Sequence, residues 1–258
     1  MDLCSKEHPV CFTHSRVHDP KNAKYHKHMH SEYEILLFLV EGPYYVIDGI
    51  KYPMKANTLL LVPTQTYHFA MPENAAYYCR YMLAFKADVV DAKLLQQAFP
   101  GRNRFDLDKQ HPIVQNFHHL NELIQTTPED HRDLLLRTFC TQVLLDLLAL
   151  RKEFPGDGES QTDPILAYID RNLTTIRSAD EIADHFFIST SALSHQFRER
   201  MDISLMKYIR QKRLLLAKSL LEKGEKAMDV YLQCGFREYT AFYKAYVRFF
   251  GVSPSQTE

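Results

Sequence analysis

Apolar and polar residues change their spacing twice along the chain. Between residues 30 and 85 the apolar stretches are short and separated by turns. Glu34-Ile-Leu-Leu-Phe-Leu-Val40 reads as a buried strand ended by Glu41-Gly42-Pro43. Residues 44–47 and 50–52 flank Asp48-Gly49, a strong hairpin signal because both turn positions need positive φ. Residues 58–62 and 76–85 read as further strands, and no helix-period segment interrupts the series. Short strands spaced by turns predict a sandwich or barrel.

After residue 86 the period lengthens. Residues 113–125 and 130–152 read as helices, the second with a broad apolar stripe that suits a core or a subunit contact. Residues 153–162, with a Pro, two Gly and polar neighbours, read as a linker. From 163 onward the pattern is helical throughout. Pro164 opens a helix to about 172, and Ser178-Ala-Asp-Glu181 is a capping box starting a short one. Ser189 caps a helix to about 200 and Ser204 a long one through 221. Gly224 sits at a C-terminal cap, and helices at about 226–233 and 238–249 follow. A short helix, a tight turn and a second helix thus occur twice, at 179–200 and 226–249. That is helix-turn-helix organisation, in which the second helix enters the DNA major groove.

Composition narrows the class. The chain has 258 residues, 45% of them hydrophobic and 24% charged, which is ordinary for a globular protein. The longest apolar run, from Ile35 to Val40, is far short of the roughly 20 residues that span a bilayer. The start, Met1-Asp-Leu-Cys-Ser-Lys-Glu, lacks a basic region followed by an apolar one, so no signal peptide is expected. The cysteines (Cys4, Cys11, Cys79, Cys140, Cys234) are scattered and form no CxxC pair, so reduced thiols in a cytoplasm are expected. Bulk charge, 31 basic against 32 acidic residues, does not itself suggest nucleic acid. Locally, however, Arg198 to Lys218 holds seven basic residues and only Glu199 and Asp202 as acids.

The C-terminal residues resemble the AraC-type transcription regulators. The matching stretches are Glu181-Ile-Ala183, Ser189-x-x-x-Leu193-x-x-x-Phe197, Ile203-Ser204, Arg213-x-x-x-Ala217-x-x-Leu220-Leu221 and Gly235-Phe236-x-x-x-x-x-Phe242-x-x-x-Tyr246. The chain closes on Phe250-Gly251-Val252-Ser253-Pro254. The resemblance covers essentially all of 163–258. It implies that both second helices enter successive major-groove segments, ~34 Å apart, on one face of double-stranded DNA. Periodicity turns Leu193, Phe197, Phe242 and Tyr246 inward. Ser191, Ser194, His195 and Arg198 then form one reading face, and Tyr239, Thr240, Tyr243 and Lys244 the other or its margin. Their hydroxyls, imidazole and cations suit base edges or phosphates, and Arg210 and Lys212 are expected at phosphate. Three positions depart from the family pattern. Asp202 stands where Gly is usual, Tyr231 where a small Ala is usual, and Tyr243 replaces a small residue on the reading face.

Nearer the start, His28-Met-His30-x-x-x-Glu34 and Pro63-x-Gln65-x-x-His68 look like the two cupin motifs, with Gln65 where glycine is usual. Cupins place the first three on one strand and the last histidine on a facing one. Three histidines and a carboxylate suit Zn, Fe, Mn or Ni. AraC-type sensor domains often carry this pattern at a small-molecule pocket, so His28, His30, Glu34, Tyr45 and His68 are read as an effector pocket first and metal ligands second. His26 is a loop residue or a supporting partner. Tyr33, Tyr44, Tyr45, Phe69 and Tyr78 line the barrel or fill its core.

The expected fold is therefore α+β and multidomain. A cupin-like β-barrel (double-stranded β-helix) occupies 1–85, helices including a dimerisation helix 86–152, a linker 153–162, and an all-α double helix-turn-helix domain 163–258. The expected function is a cytoplasmic, homodimeric DNA-binding transcription regulator controlled by a small molecule. Family analogy adds activation through RNA polymerase. No catalytic residue, cofactor or membrane contact is expected. The alternatives are a metal-dependent cupin enzyme, or a metal or redox sensor using the histidines or Cys79 and Cys140, joined to a DNA-binding module.

Overall fold

The computed structural model describes residues 9–20, 27–42, 44–72, 75–154 and 163–257. Cys4, His26, Pro43 and residues 155–162 of the expected linker lie outside the described residues. The chain divides into two compact units, residues 1–160 and 161–258.

The first unit holds two antiparallel sheets. One runs β1 (Val10–His18), β7 (Tyr77–Phe85), β2 (Tyr33–Phe38), β5 (Thr58–Val62), β8 (Arg104–Asp106); the other runs β4 (Ile50–Pro53), β3 (Tyr44–Ile47), β6 (His68–Met71). Ile47 pairs with Ile50 across Asp48 (φ 46°) and Gly49 (φ 77°), the two-residue hairpin that Asp-Gly predicts. Strands β1, β6 and β8 were not expected from the sequence pattern, and β8 lies beyond residue 85.

The larger sheet is apolar on both faces, which is why β2 and β5 read as unbroken apolar runs. Leu36, Phe38, Leu60, Val62 and Tyr78 meet Tyr45, Ile47 and Ala70 of the smaller sheet and form the barrel core. Ile35, Leu37, Leu59, Leu61, Tyr81, Leu83 and Phe85 point the other way. That face is covered by α1 (Ala92–Ala98), α2 (Pro112–Thr126) and α3 (Glu129–Glu153). The stripe on α3 is largely core: Leu136, Phe139, Cys140, Val143, Leu144, Leu147 and Leu150 are buried, while Leu134 and Leu145 are exposed. Tyr45 and Tyr78 do line the barrel core, but Tyr33 packs on Phe85 and Phe99 at the helix-covered face and Tyr44 is exposed. Cys79, Cys140 and Cys234 are buried free thiols. Cys11 is disulfide-bonded, a departure from the expected reduced thiols.

The second unit contains α4 (Pro164–Arg171), α5 (Ala179–His185), α6 (Thr190–Met201), α7 (Leu205–Leu221), α8 (Ala227–Gln233) and α9 (Tyr239–Phe250). Its helix starts follow the sequence closely. The Ser189 hydroxyl accepts from Ala192 N at 3.1 Å. Ser178 accepts from Glu181 N at 3.4 Å, but Glu181 reaches back to the N–H of Arg177 rather than Ser178. Ser204 makes no side-chain cap. Asp202 takes the left-handed conformation (φ 55°) that glycine would adopt there.

Arg213 of α7 braces the two helix-turn-helix halves. Its Nε donates to Leu173 O (2.8 Å), Nη2 to Ile176 O (2.5 Å) and Nη1 to Gly235 O (3.1 Å). The first two carbonyls lie between α4 and α5, the third in the turn before α9. Gly235 has φ 79°, and a Cβ there would stand 2.4 Å from Thr174 O. Gly235→Ala is therefore expected to destabilise this unit by about 2 kcal/mol or more, through left-handed strain and a backbone clash. Amide hydrogen exchange on the full chain checks this. Protection in α5–α9 should fall while that of β2 and β5 holds, and unchanged protection in α5–α9 would count against the brace.

Candidate functional site

The first candidate site lies inside the barrel. Glu34, on β2, faces the interior, and His68 opens β6 of the opposite sheet. The His28–His30 segment is not part of β2, contrary to the one-strand expectation. It is strapped to the opposite sheet instead. His28 and His68 exchange backbone hydrogen bonds (3.2 and 3.0 Å), and Gln65 N donates to His30 O at 2.8 Å. Gln65 takes the left-handed backbone (φ 57°) of the glycine it replaces, so the turn survives at the cost of local strain. One donor atom from each of His28, His30, Glu34 and His68 lies within 4.8 Å of the others.

The charges are set by burial and by neighbours. Burial pushes the Glu34 carboxyl up, but the hydrogen bond from His30, the neighbouring imidazoles and the Arg80 cation overrule it and hold it at about 2. His30 Nε2 stands 3.0 Å from Glu34 Oε1. Burial opposes its charge, yet the hydrogen bond to Glu34 and the carboxylates raise its pKa. His68 is fully buried, and desolvation outweighs Glu34 and brings it to about 3. Its Nδ1 lies 2.7 Å from Thr66 O. Tyr45 stacks on His68 with centroids 6.1 Å apart, and burial next to Glu34 keeps its hydroxyl protonated. Arg80 of β7 reaches into the same interior, 5.8 Å from the Tyr45 ring centroid and 5.5 Å from that of Tyr78. The arrangement is an enclosed carboxylate between nitrogen donors and cations. It suits a cation or a small polar ligand.

The second candidate site is the surface of the second unit. Leu193 and Phe197 of α6 and Phe242 and Tyr246 of α9 are buried. Ser191, Ser194, His195 and Arg198 are exposed on α6, and Thr240, Tyr243 and Lys244 on α9. Tyr239 is half-buried, edge-on to Tyr231, which fits at the rim of the α9 core among Tyr239 and Phe242. A groove of about 380 Å³ separates the halves, with Arg177, Arg210, Arg213 and Arg237 among its lining residues.

Two comparisons decide the family. Residues 12–144 match the family described as the AraC-like ligand binding domain, more than half of the chain. Residues 182–258 match a helix-turn-helix domain family. The chain belongs to the AraC family of DNA-binding transcription regulators. Among similar proteins is the HTH-type transcriptional activator RhaS of Shigella sonnei (strain Ss046), 24% identical over 245 residues, covering 90% of this chain and 87% of that protein. The probable transcriptional regulator LumQ of Photobacterium leiognathi is 28% identical over 161 residues, 60% of this chain and 62% of that protein. Among solved structures, ToxT from Vibrio cholerae O395 aligns over 96% of both chains with 12% identity and a TM-score of 0.40.

This AraC-family chain thus carries a β-rich ligand-binding domain followed by a helical DNA-binding domain. Among the residues expected at DNA, Lys212 stands apart. It is 6% exposed and its ammonium is ion-paired with Asp170 of α4. That charge serves to hold α7 against α4, so Lys212 is not carried forward as a phosphate contact. Arg210 is exposed on the groove. Sequence reasoning passed over Arg80, Arg177 and Arg237. The signal for Arg80 was a lone cation at an alternate position of an apolar strand. No helix of the described residues is long and apolar enough to cross a membrane.

Two of the buried thiols are poorly placed for redox chemistry. Burial drives the Cys140 thiol far above its ordinary value, and burial with Glu225 pushes Cys234 up to about 12. Only a thiolate is reactive. In the native full chain at pH 8, Cys140 and Cys234 are expected to resist iodoacetamide over a period in which the unfolded chain reacts fully. Peptide mass spectrometry reads this, and alkylation of either residue before unfolding would refute it.

Proposed function

We propose that this AraC-family regulator reads DNA with the exposed faces of α6 and α9 and that occupancy of its barrel controls that reading. The observation that carries it is the pair of recognition helices, each with an apolar face locked into its core and a polar face left to solvent. On α6 the reading residues are Ser191, Ser194, His195 and Arg198. On α9 they are Thr240, Tyr243 and Lys244, with Tyr239 supporting from the margin. Arg210 and Arg237, at the groove between them, hold phosphate. His195 is 80% exposed and pairs only loosely, at 3.9 Å, with Glu199, so its ring is available to a base edge.

In the barrel, His28, His30, Glu34, Tyr45 and His68 receive the effector. The exposed Leu134 and Leu145 on α3 support a second copy docking there, which makes the regulator a homodimer. The activator name of the RhaS relative favours activation, with RNA polymerase as the partner. The chain works in the cytoplasm, beside its DNA, and performs no catalysis.

Selection of bound fragments from a genomic pool by the full-length protein, at low salt, tests the reading. Enrichment of a site spanning two successive major-groove segments is expected, and no enrichment over random sequence overturns it. His195→Ala is expected to relax preference at one or two positions, at a cost of about 1–3 kcal/mol. Arg210→Ala is expected to weaken all sites alike and to lower the salt slope by about 1. Equal rankings across an operator library for His195→Ala, or an unaltered slope for Arg210→Ala, would remove those assignments.

A further inference from the structure

We propose that His28, His30, Glu34 and His68 form a binding site for a divalent first-row transition-metal ion. The proposal deepens the reading of the barrel as the ligand-binding module, and rests on it, by naming the chemical class of the ligand.

The decisive feature is a pair of acceptors that face each other. Glu34 Oε2 and His68 Nε2 are both buried, find no hydrogen-bond partner among the described residues, and stand 3.6 Å apart. His68 Nδ1 is 2.7 Å from the Thr66 carbonyl, which can only accept, so Nδ1 carries the ring's proton. The lone pair of Nε2 therefore points at a carboxylate oxygen in a dry interior. Such a contact is unfavourable unless a cation lies between the two.

The surroundings match a metal site in three further respects. The histidine rings converge, with centroids 4.4 Å apart for His28 and His68, 4.7 Å for His30 and His68, and 5.4 Å for His28 and His30. Ligands around an ion at ~2.0–2.2 Å are themselves separated by roughly 3.4–4.3 Å. The observed spread of 4.8 Å needs only small side-chain rotations. Next, His68 and His30 each turn Nδ1 to a backbone carbonyl, Thr66 O at 2.7 Å and Glu32 O at 3.1 Å, which leaves His68 Nε2 unpartnered in the cluster and His30 Nε2 against Glu34 Oε1 at 3.0 Å, where an ion would take its place. A backbone carbonyl on the other ring nitrogen is the usual support for a ligating histidine. Finally, the ligand atoms come from both sheets. Hard cations such as calcium and magnesium prefer all-oxygen sets, whereas three imidazoles and a carboxylate suit zinc, cobalt, nickel, iron or manganese.

The test uses the untagged full-length protein, stripped with chelator and titrated with Co2+ and then Zn2+. One equivalent of Co2+ per chain is expected, with visible d–d absorption that Zn2+ bleaches. Because His68 is buried and its loss would disturb folding, the informative variants are His28→Ala, at an exposed position, and the near-isosteric Glu34→Gln. Both should bind at least tenfold more weakly while keeping the native circular dichroism. Binding of less than a tenth of an equivalent, or an unchanged affinity in His28→Ala, overturns the site. DNA affinity measured on the same samples with and without Zn2+ separates the two readings. One equivalent bound with unchanged DNA affinity upholds the metal site and counts against control of DNA reading by the barrel.

Discussion

A sheet that is apolar on both faces cannot be left with either side in water, and most of the first unit follows from that constraint. One face of β2, β5 and β7 meets the smaller sheet and becomes the barrel core; the other is closed by α1, α2 and α3. Barrel and helices are therefore a single compact unit, and β8, contributed from between α1 and α2, completes the larger sheet. The same constraint makes interior-facing polar residues expensive. Glu34 and Arg80 sit at interior positions where an apolar residue would cost nothing, and they persist there by answering each other's charge, with His30 hydrogen-bonded to Glu34.

The second unit solves a different problem. Directed hydrogen bonds tie its two helix-turn-helix halves together. Arg213 supplies three to carbonyls in two separate segments, and Lys212 beside it pairs with Asp170. Charge-assisted bonds of this kind are worth about 1.5–3 kcal/mol each when buried. They also fix distance and angle, which a slippery apolar contact does not. On the proposed reading, α6 and α9 must meet one DNA face together, and that rigidity serves this need more than extra burial would.

The sequence conveyed local features well and long-range ones unevenly. Helices in the second unit were legible because caps and 3.6-residue periodicity are written within a few residues of each other. Asp48-Gly49 was legible for the same reason. Strands β6 and β8 have four and three residues, too few to show a period, and β1 becomes regular only through pairing with β7. Lys212 was misjudged by grouping it with a basic run, although Leu205, Tyr208, Ile209, Lys212 and Leu215 follow helical spacing and mark it as inward. The cluster residues were found by type and spacing, but their arrangement was not. His28 and His30 were expected on the strand of Glu34, whereas backbone hydrogen bonds tie them to His68 and Gln65, about forty residues away.

That arrangement bears on how the barrel could signal. A ligand shifts an equilibrium only by its difference in affinity for the two states, and one held by a single rigid element has no such difference. Here the donor atoms come from β2, from β6, and from a segment strapped to β6 through a turn in which Gln65 is strained. A group that contacts Glu34 and His68 together favours whatever state brings the two sheets to its preferred distance. Because β2 is covered on its other face by α1–α3, a small change in that distance reaches the helices through packed side chains, not through a loop. On the proposed reading, the exposed part of α3 is then where barrel occupancy becomes a change in the dimer, and through it in the presentation of α6 and α9 to DNA.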